Sequence, residues 1–420
     1  MFGRRGLALG AGAMIALAAC GSSSGGGTAN KGTIKIGVEL PESGKEASNG
    51  LPTLNGVKYA VQKQTTIKGY TIEIDNLDDA VNGVHDAQKG AQNVQQFVAD
   101  SKVLGFVGPF NSAVAQAEIP VSNAAHMTMI SPANTNECLT KDLPAPECTF
   151  KPTDLRPSGP NNYFRVAATD DFQGPAMADY AYNTLSLKKV AVASDSETYG
   201  KGIADSFSKE LTKKGGDPTP RTDFDKSTSN FKPFEGSANS AGATGFYYGG
   251  TDSNKVCIAR QQMKSANFNV PFFGGDGIVT AQCITDAADN VDNMYGTVAA
   301  ADATQIPAAK STIDDFKKNF SGANDFGAYT MPAYDCANIL LDGISKAIDD
   351  AGGNMPTREQ VRSRVAQTKD FPGVLGKTTF DQNGDTSNKI ISIYTIGAAP
   401  GLTGATPKDW VWKASVNFGS

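Results

Sequence analysis

The sequence predicts an α/β protein built from two doubly wound, mainly parallel sheets, and three observations predict it. From Thr33 onward, short apolar strands alternate with amphipathic helices across short polar joints, which is the pattern of βαβ units. Two strands run out into small polar clusters, Asn111-Ser112 after VLGFVGPF and Ala133-Asn134-Thr135 after MTMISP. Ligands of such sheets sit beyond the carboxyl ends of the strands. A loop rich in Pro, Asn and Gly, from Cys138 to Asn162, then breaks the rhythm as a crossing between lobes does.

The elements follow in order. Arg4 and Arg5, the apolar run Leu7 to Ala19 and the small-residue exit Leu17-Ala18-Ala19-Cys20 have the charged front, apolar middle and cleavage site of a secretion signal, and the run is too short to span a bilayer. Cys20 then becomes the lipidated first residue, because this order resembles the bacterial lipobox, and GSSSGGG reads as a flexible tether. TIKIGVEL and TIEIDNLD read as strands, with helix faces marked by Leu51, Leu54, Val57 and Val61 and by Val84, Ala87, Ala91, Val94 and Val98. VLGFVGP, a helix opening at Ser112, and MTMISPA complete the first run.

YFRVAATD begins the second run. A helix with Met177, Tyr180 and Leu185 follows, then KKVAVASD, a helix with Ile203, Phe207 and Leu211, GFYYGG, a helix from Ser253, and PFFGGDG. Residues 300 to 370 are again helical, with Thr357 and Gln360 spaced as a capping box. KTTFDQNGDTSNKIISIYTI reads as a closing hairpin. Asp381, Asn383 and Asp385 lack the sixth-position Gly and the twelfth acidic ligand of a calcium loop, so they read as turn residues.

Without Arg4 and Arg5 the formal charge moves from −5 to −7. No basic run is present to neutralise phosphates, which argues against nucleic acid as a partner. Five cysteines remain after Cys20, and export favours disulfides. Cys138 and Cys148 flank the Pro-containing loop LTKDLPAPE, which a bridge would pin; Cys257 and Cys283 follow two successive strand ends and are placed to tie neighbouring helices. Cys336 shares an apolar face with Leu340, Leu341 and Ile344 and reads as a small buried hydrophobe. His85 and His126 are the two histidines, and with no C-x-x-C pair the sequence supports neither a metal site nor a cofactor.

The strand ends carry the chemistry. Ser112 and the free N–H groups of the helix it opens can hold a carboxylate without Lys or Arg. The second run offers Tyr199, Thr251 and Asp276 at its own strand ends. A carboxylate in a Gly-rich turn such as GGDG is costly to desolvate unless a cation meets it, and a ligand ammonium would be that cation. Together these groups suit a zwitterion. Helix capping is the plain alternative for Ser112 and Asp276 alike.

IKIGVELPESG, LDDA, GFVGPFNSAVA, MISPANTN, YFRVAATDDFQGP, SETYGKG and GFYYGG followed by GGDG resemble the substrate-binding proteins of bacterial branched-chain amino-acid ABC transporters, of the type I periplasmic-binding fold. The resemblance covers about residues 33 to 400. It implies two lobes joined by three hinge crossovers, residues 33–163 plus about 300–386 and residues 164–299 plus about 387–420, after a signal peptide at 1–19 and a lipidated Cys with its tether at 20–32. It implies that Ser112, Ala133 and Thr135 hold the ligand carboxylate and part of its ammonium, with Asn111 beside them. Tyr199 would reach in from the second lobe, and Asp276 stands where family members place a glutamate.

Besides that shorter acid, two further positions depart from the family. Thr251 stands where a tyrosine is usual, and Asn49 where an aromatic packs on the ligand side chain. Glu42 and Glu46 read as solvated loop acids. The expectation is a monomeric, lipid-anchored receptor on the extracytoplasmic membrane face that binds a small amino acid, passes it to permease subunits and does no chemistry. The alternative is a sensory domain for another amino acid or small amide.

Overall fold

The computed structural model describes residues 30–322 and 324–419. Cys20, the signal segment and most of the tether lie outside them. Two sheets form the centres of two lobes. In the first, Gly32–Leu40 lies between Tyr70–Asp78 and Val103–Val107, followed by Thr128–Ser131 and Tyr163–Arg165, all parallel, with Thr66–Ile67 antiparallel at the edge. Such strands are buried on both faces and so read as near-continuous apolar runs, as VLGFV does. Helices Ala47–Lys63 and Thr330–Asp350 pack together, as do Ala87–Ala99 and Ser112–Ala124.

The second sheet runs in the order Arg221–Asp223, Val190–Ser194, Gly245–Gly249, Phe272–Gly274, Met294–Val298, Ile390–Ala398 and Lys408–Asn417. Its first five strands are parallel and its last two antiparallel. The chain passes between the lobes three times. The crossings lie side by side: Ala168 N–H donates to Ala299 O at 2.9 Å, Ser392 Oγ donates to Ala300 O at 2.8 Å, and Arg165 N–H donates to Gly384 O at 3.0 Å.

Three local expectations change. The closing hairpin is only a turn: Asp381 accepts from the N–H groups of Asn383 and Asp385, and Phe380 bridges Thr386. The flanking segments then part, Gly376–Thr378 pairing with Phe371–Gly373 and Ile390–Ala398 entering the second sheet, because a lobe crossing separates them. Val84 leaves the helix for a small hairpin of Ala80–Val81 with Val84–His85, since Asp86 caps the helix through Lys89 N–H at 2.7 Å. Leu51 is exposed, and the buried face is Leu54, Val57, Ala60 and Val61.

Cys138 with Cys148 and Cys257 with Cys283 stand at disulfide separation, their Cα atoms 5.6 and 5.3 Å apart, and Cys336 is free and buried. The second pair closes 26 residues of chain. Removing it in a Cys257→Ser/Cys283→Ser variant should lower unfolding free energy by about 3 kcal/mol in the loop-entropy account. Denaturant titration checks this, and an unchanged midpoint would mean that the bridge is absent in solution.

Candidate functional site

The strand ends of the two lobes face each other. In the first lobe, Gly108 turns the chain at φ +135°, where a Cβ would lie 2.0 Å from the carbonyl oxygen of Glu39. This turn delivers Asn111 and Ser112 to the start of helix Ser112–Ala124. Ser131, ending the next strand, donates to Pro109 O at 2.7 Å and accepts from the N–H groups of Ala133 and Asn134. Asn134 in turn donates to Phe110 O at 2.8 Å and accepts from the Tyr163 hydroxyl. These bonds lock the two turns into one rigid cradle. The Ser112 hydroxyl oxygen accepts from Asn136 N–H at 3.3 Å, which leaves its proton free to donate. Asn111 Oδ1 is buried with no hydrogen-bond partner.

In the second lobe, strand Phe272–Gly274 runs into the short turn Asp276–Ile278. A Cβ at Gly277 would lie 2.5 Å from Gly250 O, so glycine lets the Thr251 and Asp276 turns pack closely. The cap position of the Asp276 turn falls on Gly275, and Thr280 caps helix Ala281–Ala287 through Cys283 N–H at 2.9 Å. Asp276 therefore caps no helix. Its carboxylate accepts from the Tyr329 hydroxyl, and Tyr199, whose hydroxyl accepts from Gly277 N–H at 3.3 Å, lies beside it. Burial pushes the Asp276 carboxyl above its ordinary value, while Tyr199, Tyr329 and Gln173 pull against that rise.

Seven of the eight binding residues expected from the sequence line one gap of ≈ 240 Å³: Asn111, Ser112, Ala133 and Thr135 from one lobe, Tyr199, Thr251 and Asp276 from the other. Phe110 and Gly277 complete it. Asn49 does not join them. It lines a separate hollow of ≈ 340 Å³ with Thr53, Val279 and Phe326. Phe110 and Tyr329 border the hollow too, with ring centroids 5.4 Å apart, edge to face. Phe110 also lines the gap, so its ring stands between the two spaces.

Thr251 spends its hydroxyl on Ser253, 2.9 Å away. The acids expected in solvent are also placed differently. Glu42 is half-buried and accepts from Asn76 at 2.8 Å, and Glu46 is 1% exposed and bonded to His85 and Ser253. Glu42 is held by its own lobe, whereas Glu46 is covered where Ser253 of the second lobe meets it, which a loop sequence alone does not reveal.

Three further residues belong to this region. Tyr329, at the start of a long helix about 50 residues after Asp276, carried no local signal. Asp170 and Gln173 lie within the segment YFRVAATDDFQGP but showed no strand-end placement of their own. Asp170 is fully buried, with neither carboxylate oxygen hydrogen-bonded. Burial, then the charges of Glu137 and Asp276, hold it well above the usual carboxylate range. The gap is thus acidic on one side and neutral, rich in donors, on the other. Among the described residues, the one grouping of three metal-ligand side chains is Asp252 with Cys257 and Cys283, the two cysteines standing at disulfide separation.

The amino acid binding protein of Pseudomonas aeruginosa is 27% identical over 368 residues, covering 86% of this chain and 89% of that one. Leu/Ile/Val-binding protein homolog 3 of Brucella melitensis is 28% identical over 367 residues, covering 86% and 90%. The crystal structure of a leucine binding protein from Thermotoga maritima has the same fold, with a TM-score of 0.76 at 24% identity over 92% of this chain and 99% of that one. Residues 33–398 match the profile of the periplasmic binding proteins, and the chain belongs to that family.

Proposed function

We propose that this protein is a lipid-anchored extracytoplasmic receptor that closes two lobes over a small amino acid of branched-chain type and delivers it to an ABC importer. The observation that carries the reading is the convergence of seven strand-end residues from both lobes on one gap. Ser112, the helix amides behind it and Thr135 take the carboxylate, and Asp276 takes the ammonium. The ligand side chain points past Phe110 toward the hollow that Asn49 lines. The amino-acid specificities in the relatives' names support this assignment.

Residues 33–163 with 300–386 and residues 164–299 with 387–420 act as the two closing bodies. The two cysteine pairs oxidise on export, and Cys20 bears the lipid, a reading supported by the lipobox-like order Leu17-Ala18-Ala19-Cys20.

Calorimetry with L-leucine, L-isoleucine and L-valine should give one site of micromolar or tighter affinity. Two fragments separate the ends of the ligand: 4-methylpentanoate lacks the ammonium and isoamylamine lacks the carboxylate. Each should bind roughly a hundredfold more weakly, because one buried partner is left unpaired. Equal binding of the deaminated acid removes the role of Asp276, and silence toward all amino acids removes the proposal. Ligand should also shrink the radius of gyration in solution scattering.

A further inference from the structure

Beside the gap, a second set of contacts joins the lobes. His85, in the small hairpin of the first lobe, is 5% exposed. Its Nδ1 lies 2.8 Å from Oε1 of Glu46, in the same lobe, and its Nε2 lies 2.6 Å from Oε2 of Glu197, in the second. Ser253 of the second lobe donates to the same Glu46 oxygen. A neutral imidazole has a single N–H, whereas two carboxylate oxygens at these distances accept two, so the contacts match an imidazolium.

We propose that His85 is a positioning residue for ligand capture: held as an imidazolium between Glu46 and Glu197, it fastens the closed lobes, so that binding takes up a proton. This rests on the interlobe gap being the ligand site. His85 touches no ligand atom in this account. It acts through the closed state, whose population sets the apparent affinity.

The groups facing the ring agree. Glu46 and Asp79 come from the first lobe, and Glu197 from the second, with Asp195 and Asn254 behind it and Asp252 of the second lobe near Glu46. Of the nearby cations, Lys45 pairs with Asp286, and Lys226 meets Glu197 at 3.4 Å through Oε1, the oxygen that His85 does not use. Burial opposes charge on His85, but Glu197 and Glu46 prevail and hold its pKa well above the ordinary value. Glu197, though burial pushes it up, is drawn down to about 2 by His85 and Lys226.

Opening separates Glu197 from Nε2 and wets the ring, which returns His85 toward its ordinary pKa of about 6.5. The raised closed-state pKa therefore favours closure fully below that value. The advantage is lost as pH rises through the closed-state pKa, by up to about tenfold per pH unit. On the acid side, the depressed Glu197 favours closure above its ordinary value of about 4.3 and loses that contribution as pH falls toward 2.

The test is calorimetry of L-leucine binding between pH 6 and 8.5, in buffers of different ionisation enthalpy, for the wild type, His85→Gln and Glu197→Gln. The wild type should take up protons on binding and weaken with rising pH. Both variants should bind more weakly at pH 6 and lose the proton uptake. A wild type without proton uptake, or a His85→Gln variant with the same pH slope, overturns the proposal. Should no amino acid bind, the ligand reading fails alone, and scattering from the ligand-free chain judges the clasp. Wild type should then expand between pH 6 and 9 while His85→Gln is expanded throughout. A radius indifferent to both pH and substitution overturns it.

Discussion

Asp276→Ala is expected to weaken amino-acid binding by about 2–4 kcal/mol, some thirtyfold at least, while leaving the fold intact. The size follows from desolvation: in the closed protein Asp276 is 6% exposed, and a buried ammonium without its counter-charge has no water to replace it. Asp276→Asn separates charge from shape. Its amide oxygen still accepts from Tyr329, so the turn is preserved while the negative charge is gone. Asn should therefore lose nearly as much affinity as Ala with an unchanged melting temperature. Calorimetry and thermal melting check the pair, and wild-type affinity in the Asn variant would assign Asp276 to holding Tyr329 rather than ligand.

Arg165→Met is expected to cost about 3–5 kcal/mol of folding stability, because it strands a buried carboxylate at the hinge. Arg165 is fully buried and its Nε donates to Asp385 Oδ1 at 2.7 Å, while another guanidinium nitrogen donates to Asn136 O at 2.7 Å. The pair ties the first crossing to the third. Burial pushes Asp385 up, but Arg165 overcomes it and holds the carboxyl below its ordinary value. A depressed folded-state pKa stabilises above the unfolded value of about 3.9, and that stabilisation fades as pH falls through the folded value. Urea titrations of wild type and variant should therefore differ most at neutral pH and converge in acid. A loss under 1 kcal/mol at pH 7 would mean that water replaces the guanidinium.

The two substitutions read opposite kinds of legibility. Asp276 was legible because a lone acid in a Gly-rich strand-end turn is a local signal. The structure added that Gly275, not Asp276, occupies the cap position. Arg165 and Asp385 stand 220 residues apart, and each looks ordinary in its own segment. Their meeting is a property of the crossings. Tyr329 is similar, since the start of an apolar helix gives no reason to expect a hydroxyl aimed at a carboxylate 53 residues earlier in the chain. Asn49 differs again. Its place came from a resemblance, and it lines the adjoining hollow, which shares Phe110 with the gap, rather than the gap itself.

By itself the sequence determined the alternation of strand and helix and the polar strand ends, because each follows from periodicity or spacing within a few tens of residues. Only the tertiary structure decided what the lobes do to one another. Glu46 reads as a loop acid until the second lobe covers it. His85 is an ordinary histidine until Glu197 arrives from the other side. The last two strands become edge partners of the second sheet only because the chain crosses once more. Burial, charge pairing and closure depend on which surfaces meet, and chain-distant contacts of that kind leave no local pattern to read.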